Sequence, residues 1–203
     1  MSVALVAAAT ALAATTAFAQ PLNRLITAPD LPPRDDCSMP ALTQALLDHG
    51  DQESYFLAPG GSFETDAGWY LDGGARLTTA PGEDGNGTGV LEVPSRGQAV
   101  SPVICVSAKF PHARVFVRGL GGASNVDFGV SYYRHGRWSK YMRTGRMGAK
   151  DETWTLSDPL RLHPDKTKKG WQDVRFAFYG AGHDRLSQID NLWIDPRASR
   201  KFK

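Results

Sequence analysis

Three tyrosines share a predicted orientation with an arginine and an aspartate. Tyr133, Tyr141 and Tyr179 fall on the outward side of late β-strands in the sequence pattern, and Arg175 and Asp127 have the same orientation. Flat rings stack on the apolar faces of sugars, while charged planar groups bind hydroxyls. If these strands belong to one sheet, the pattern predicts a carbohydrate-binding face. The alternative is that the rings are ordinary strand residues packed beneath a loop or beneath a short N-terminal helix.

The segment Tyr132–Lys150 combines basic and aromatic side chains. Such a segment could contact an anionic polymer, either a cell-surface polysaccharide or a nucleic acid. The alternative is that its Arg and Lys residues simply solubilise a hairpin. Residues 1–92 carry 12 acidic and 3 basic side chains, and the remainder is basic, so the strands of the two halves can also neutralise each other. The N-terminus, which resembles an export signal, makes nucleic acid an unexpected partner.

Enzyme signatures give little support to catalysis. The five histidines form neither an HxxxH nor an HExxH pattern, which metal hydrolases use to place two ligands on one helix face. The chain also lacks the GxSxG turn of serine hydrolases. We therefore expect a non-catalytic protein, with a glycan-cleaving enzyme as the weakest alternative.

Short apolar segments with a period of two dominate the chain after Gly50. The clearest examples place Val126, Phe128 and Val130 on one strand face, and Val174, Phe176 and Phe178 repeat the pattern later. Glycine, proline, asparagine and aspartate separate these segments, as in a β-sandwich or barrel. Before them, the segment Met39–Gly50 has apolar residues at helical spacing and predicts a short helix.

The N-terminus resembles an export signal. Residues 3–19 are mostly Ala, Val, Leu and Thr, and Ala17-Phe18-Ala19 fits a small-x-small cleavage site. The segments predicted are a signal peptide at 1–19, a Pro-rich segment and short helix at 20–50, a β-sandwich domain at 51–196 and a basic tail at 197–203. We expect a secreted protein without a membrane span after cleavage, although a membrane anchor is the alternative for the apolar segment.

Cys37 and Cys105 are the two cysteines of the chain. In an oxidising compartment, an isolated pair most simply forms one disulfide. Neither cysteine belongs to a CxxC motif, so a redox site is not expected. The predicted bond would attach the Pro-rich N-terminal segment to the sandwich.

Two short motifs at opposite ends of the predicted sandwich carry a family resemblance. Gly60-Gly61-Ser62-Phe63-Glu64 precedes Gly68-Trp69, and Gln188–Pro196 reads QIDNLWIDP. These motifs resemble the first and last strands of galactose-binding-like jelly-roll β-sandwiches, a fold shared by many carbohydrate-binding modules. The resemblance covers roughly residues 55–196 and implies an all-β, antiparallel jelly roll. Polysaccharide lyases resemble the chain less, because Asp190 stands where their Gln-Ile motif is followed by histidine.

The resemblance also implies a metal site. In calcium-containing modules of this type, an acidic residue after the first-strand aromatic and an aspartate on the last strand help to hold a structural ion. Glu64 and Asp190 match these positions, and oxygen ligands suit Ca²⁺. The alternative is that arginine side chains or main-chain amides satisfy both carboxylates.

The leading hypothesis is therefore a secreted, non-catalytic β-sandwich that binds a carbohydrate or cell-surface polymer weakly. A structural or protein-interaction domain without a small ligand is the competing class. Its partner would contact the basic hairpin rather than a sugar-binding face.

Overall fold

The structure is a computed structural model of the 203-residue chain. It describes residue 26 and residues 28–85, 87–109, 112–168, 170–182 and 185–195. The predicted signal peptide at 1–19 and basic tail at 197–203 lie outside these residues.

Two antiparallel sheets contain the fourteen strands of the described chain. Sheet A has the order β11-β7-β14-β4-β3, with β1 beside β14 and β12 beside β7; sheet B has the order β10-β8-β13-β5-β2, with β6 beside β13 and β9 beside β8. The strands are β1 Phe56–Leu57, β2 Tyr70–Asp72, β3 Arg76–Thr79, β4 Gly89–Pro94, β5 Gln98–Val100, β6 Ile104–Val106, β7 His112–Leu120, β8 Ser124–Arg134, β9 Arg137–Trp138, β10 Met142–Ala149, β11 Thr155–Leu156, β12 Leu160–Arg161, β13 Gln172–Gly180 and β14 Leu186–Asp195. This arrangement confirms the predicted all-β jelly-roll sandwich.

The main core lies between the sheets and follows the predicted period of two. Val126, Phe128, Val130, Val174, Phe176 and Phe178 are all fully buried. Strands β8 and β13 pair so that Phe176 lies opposite Val130 and Phe178 opposite Phe128. The rings of Phe128 and Phe176 are 5.4 Å apart between centroids, a separation typical of favourable aromatic packing.

The other face of sheet B is also buried, which the sequence pattern did not predict. Asp127 is 5% exposed, Ser131 1% and Arg175 3%. The N-terminal arm, which we define as residues 26 and 28–37, lies across this face. Ile26 packs in a small cluster with Val100, Tyr141 and Ala177, and the disulfide between Cys37 and Cys105 fixes the other end of the arm. The predicted pairing of the two cysteines is thus present.

The predicted helix over Met39–Gly50 is reduced to a single 3₁₀ turn at Leu47–His49. The main chain of Thr43 exchanges both hydrogen bonds with Tyr55, at 2.8 and 2.7 Å, and this bridge holds the segment extended. Leu46 is fully buried against Tyr55 and Phe116, so one side chain anchors the segment rather than a helical face. In the described part of the chain, we find no helix with the length and hydrophobicity needed to cross a bilayer.

We expect Phe176→Ala to lower the free energy of unfolding by about 3–5 kcal/mol, because it empties a large volume that tightly packed neighbours cannot fill. Urea unfolding of the variant and wild type measures the loss. Arg137→Ala on the exposed β9 strand is the matched control and should change stability little. A loss below about 1 kcal/mol for Phe176→Ala would contradict the core assignment.

We expect the double variant Cys37→Ser and Cys105→Ser to remain folded but lose stability. The bond closes a loop with a sequence separation of 68, and loop-closure entropy then corresponds to about 4 kcal/mol. Urea unfolding of the double variant measures this loss. Unfolding of the wild type with and without reductant measures the same difference. An unchanged midpoint on reduction would show that the cross-link contributes nothing to the folded state.

Candidate functional site

The five residues predicted to bind carbohydrate do lie on one face of sheet B. In the β8–β13 register, Tyr179 pairs with Asp127 and Arg175 with Ser131. Tyr141 and Tyr179 pack in the same cluster with Ile26, while Tyr133 lies near the end of β8 and pairs with Trp138 of β9. All five therefore share one face of the sheet, although access to them differs, and their binding of carbohydrate stays a prediction.

Asp127 is engaged by arginines rather than free for a ligand. Arg146 donates Nε–H to Asp127 Oδ1 at 2.6 Å and Nη2–H to Oδ2 at 3.0 Å. Arg143 Nη1 lies 3.5 Å from the same carboxylate. The hydrogen bond to Asp127 raises the pKa of Arg146, as expected of a charge-assisted bidentate pair. The expectation that Asp127 is available to sugar hydroxyls is corrected accordingly.

Arg175 is also committed, in this case to main-chain carbonyls. Its Nη1–H donates to the carbonyl of Pro29 at 2.6 Å, and its Nε–H donates to that of Ser101 at 3.2 Å. The guanidinium carbon lies 5.9 Å from the ring centroid of Trp138, within cation–π range. Arg175 thus fastens the N-terminal arm to the sheet instead of facing solvent.

Tyr141 lies beneath the arm and is 8% exposed. Burial raises the pKa of its phenol to about 12. Tyr179 is half-buried beside the same cluster. Ile26 covers this part of the sheet, so the expectation of an open aromatic platform at Tyr141 is also corrected.

An open groove borders the arm at the opposite end of the sheet face. It has a volume of about 620 Å³, which lies in the range of small-molecule sites. Its lining residues come from the arm, from β8 and from the segment that leads into β13: Pro32, Pro33, Arg34, Asp35, Tyr133, Thr167, Lys168, Trp171, Gln172 and Asp173. Of the five predicted residues, only Tyr133 lines this groove.

The groove combines aromatic rings with charged groups. Tyr133 is half-buried and packs edge-on against Trp138, with ring centroids 5.3 Å apart. Trp171 packs partly against the main core, and Thr167 donates its hydroxyl to the Trp171 carbonyl at 2.7 Å. Gln172 accepts the main-chain N–H of Asp165 at 2.7 Å. Both rings are therefore held in place, a condition for binding without a large ordering cost.

Sequence reasoning missed Trp171 and the contribution of the arm. Trp171 directly precedes β13, so its proximity to Tyr133 follows only from the β8–β13 pairing. The Pro32-Pro33 pair gave a usable signal, since consecutive prolines favour an extended segment. That signal did not reveal which surface the segment would cover.

The basic segment Tyr132–Lys150 is partly neutralised within the fold. Arg134 Nε lies 2.7 Å from Asp165 Oδ2, and Arg143 and Arg146 share Asp127. These pairs use three of the charges that suggested an anionic polymer. Fewer unpaired cations in this segment therefore face an anionic partner than its sequence suggests.

The carboxylates of Glu64 and Asp190 both accept hydrogen bonds from the main chain of the loop at residues 83–89. Glu64 Oε1 accepts the main-chain N–H groups of Thr88 and Gly89, each at 3.0 Å, while Asp190 Oδ2 accepts that of Glu83 at 2.9 Å. Glycines allow this approach: a Cβ on Gly87 would lie 2.4 Å from Glu64 Oε1. Main-chain amides thus satisfy both carboxylates, as the alternative interpretation predicted.

A bulge in β14 aims Asp190 at this loop. The β14–β7 register shifts between Asp190 and Trp193, and Asn191 has a φ of 50°, a conformation that asparagine tolerates better than most residues. Within the bulge, Leu192 donates its N–H to Gly61 at 2.8 Å. The two motifs that carried the family resemblance therefore meet at this point.

The donor chemistry suits Ca²⁺, but the ligands are not closely gathered. Carboxylate oxygens favour this ion, and burial raises the pKa of Asp190 to about 6, with Asp84 and Glu64 adding to the rise. Within the described residues, the one group of three acidic, His or Cys ligand atoms within 4.8 Å comprises Cys37, Cys105 and Asp173. Its two sulfurs form the disulfide. Calcium at Glu64 and Asp190 stays a prediction.

Comparison with known proteins finds solved structures with a similar fold. Neither a protein-family model nor a curated protein matches the chain. The CBM22-1 xylan-binding domain from Paenibacillus barcinonensis Xyn10C has a similar structure, with 14% identity and a TM-score of 0.52 over 72% of this chain and 97% of that domain. The CBM22-1–CBM22-2 tandem domain from the same protein gives 12% identity and a TM-score of 0.51, over 74% of this chain and 48% of the tandem. The resemblance to the jelly-roll sandwich of carbohydrate-binding modules is thereby confirmed as one of fold.

We expect the Asp190 carboxyl to titrate near pH 6 in the presence of a chelator. Because burial raises the folded-state pKa above the ordinary aspartate value, the stability contributed by the protonated form is fully present below that ordinary value and is lost as pH rises through about 6. A ¹³C-carboxyl NMR titration measures the midpoint, and Asp190→Asn identifies the resonance. A midpoint at the ordinary aspartate value would contradict the buried environment, whereas a downward shift on adding calcium would support an ion at this position.

Proposed function

We propose that this chain is a non-catalytic carbohydrate-binding domain of a secreted protein. Its ligand lies in the groove that the N-terminal arm, Tyr133 and Trp171 line. The observation that carries the proposal is the presence of two fixed aromatic rings among charged side chains in a groove of about 620 Å³. The similar fold of a xylan-binding domain makes xylan the first ligand to test.

The residues of the groove suit a sugar in two respects. A pyranose ring can stack on Tyr133 or Trp171 through its C–H face, and its hydroxyls can bind carboxylates or cations at the rim. Asp35, Asp173 and Lys168 supply such groups. The groove is open to solvent and buries only part of each sugar unit, so the affinity is modest.

The disulfide supports the secreted location. Bonds of this kind persist in oxidising compartments and are rare in the cytosol. The predicted leader at 1–19 agrees with that location, and cleavage near Gln20 leaves the arm as the start of the mature domain. A structural calcium ion near Glu64 and Asp190 is part of the same proposal, as a stabilising group distant from the ligand groove.

A protein-interaction domain is the second candidate, and the arm favours it in one respect. Residues 26 and 28–31 cover the centre of the sheet face with a segment of the chain itself. A face already filled by a peptide is less suited to a long glycan than an open face would be. The same groove could then receive a partner's extended segment, or the basic hairpin could contact an anionic cell-surface polymer.

The neighbouring variants Tyr133→Ala and Tyr132→Ala distinguish ligand binding from folding. We expect Tyr133→Ala to weaken xylan binding with little change in melting temperature, because its ring is half-buried at the groove. Tyr132 is 1% exposed, and its hydroxyl donates to the Leu162 carbonyl. Its removal should therefore destabilise the fold by roughly 3–5 kcal/mol, as for other buried aromatic rings.

Isothermal titration with soluble xylan and thermal unfolding measure the two effects, and a glycan array covers other sugars. Failure of the wild type to bind any glycan would refute the proposed function. Unfolding caused by Tyr133→Ala would mean that this ring is structural, and the interaction-domain candidate would then lead.

A further inference from the structure

We infer that the groove receives the end of a glycan chain, and that the N-terminal arm excludes the interior of a polysaccharide. This inference rests on the proposed function and specifies its ligand class. A chain that binds through its interior must leave a site in both directions. Here the arm forms one wall of the groove through residues 32–35, and Ile26, Pro29 and Leu31 carry it over the sheet face beyond that wall, so a chain that continued along this face would meet the arm.

The arm is attached at successive points along its length. Ile26 is 5% exposed and packs with Tyr141 and Val100. The Pro29 carbonyl accepts Arg175 Nη1–H at 2.6 Å, and the Leu31 carbonyl accepts Trp138 Nε1–H at 2.7 Å. Cys37 is bonded to Cys105. With these attachments, the arm acts as a fixed wall and not as a loose terminus.

The attachments also close the sheet face on the far side of that wall. Ile26 lies over Tyr141 and Ala177, which are 8% and 0% exposed. The binding energy of a further sugar unit there would have to exceed the cost of lifting an apolar side chain and breaking the Arg175 hydrogen bond. Stacking of one sugar unit on an aromatic ring is too weak to do so.

The groups on the wall suit a chain end chemically. A terminal sugar has a hydroxyl that an interior unit replaces with a glycosidic bond. Arg34 and Asp35 line the groove as exposed side chains, although Arg34 also pairs with Asp36 at 2.7 Å. Carboxylate and guanidinium groups at the wall can accept from and donate to this additional hydroxyl. Both side chains are exposed, so they orient the chain end, and the arm itself supplies the discrimination against the chain interior.

The first experiment compares xylo-oligosaccharides with soluble xylan fractions of increasing chain length by isothermal titration. For the wild type, we expect the number of protein molecules bound per chain to stay constant as the chain lengthens, because the number of ends does not change. A number that rises in proportion to length would overturn the inference and leave the proposed function intact. Binding to neither probe would overturn both.

The second experiment releases the arm in the full-length chain. Ile26→Asp places a carboxylate in an apolar cluster, which detaches this end of the arm while the disulfide retains the other end. Ile26→Val is the matched control and should keep the arm in place. We expect Ile26→Asp to acquire length-dependent stoichiometry on xylan and Ile26→Val to behave as the wild type.

Two measurements verify that the arm has moved without unfolding the domain. Near-ultraviolet circular dichroism should retain the signal of the packed core. The phenol pKa of Tyr141 should fall from about 12 towards 10.0 once Ile26 no longer covers it, which a spectrophotometric titration against Tyr141→Phe detects. If the pKa falls and the stoichiometry stays independent of length, the arm does not exclude the chain interior and the inference is wrong.

Discussion

The arrangement of the sheet face depends on the hydrogen bonds that the buried guanidinium of Arg175 donates. A charged group at this depth requires hydrogen-bond acceptors, and two main-chain carbonyls provide them, one from Ser101 and one from Pro29. The first belongs to the sandwich and the second to the arm. Solvation of this arginine therefore supplies one of the attachments that hold the arm, together with those at Leu31 and Cys37, and the cover over Tyr141 follows from the position of the arm.

The sandwich core could be predicted because its signal is local. Val126, Phe128 and Val130 alternate along one strand, so their common burial follows from the geometry of a single β-strand. The disulfide could equally be predicted, because two cysteines in a chain with a predicted export signal have one simple pairing. The helix prediction over Met39–Gly50 was wrong in extent because the long-range bridge between Thr43 and Tyr55 overrides local periodicity.

The site was less predictable because it depends on contacts between distant segments. Strand alternation placed Asp127 and Arg175 on the correct face, but only the β10–β8 register puts Arg146 opposite Asp127. That register includes a shift between Arg143 and Gly145, and a Cβ at Gly145 would lie 2.6 Å from Leu160. Pairings of this kind couple residues far apart in sequence, and a periodic pattern in one strand contains no information about them.

The covalent attachment at Cys37 has a consequence for competition at the sheet face. The arm is part of the same polypeptide, and the disulfide at Cys37 shortens the segment that tethers it, so its return to the face is intramolecular, with an effective concentration on the order of millimolar. A free ligand with only millimolar affinity for the covered surface would lose this competition at ordinary concentrations. The tethered arm would thus compete with every ligand for this face. This competition would select among ligands in addition to the shape and charge of the groove.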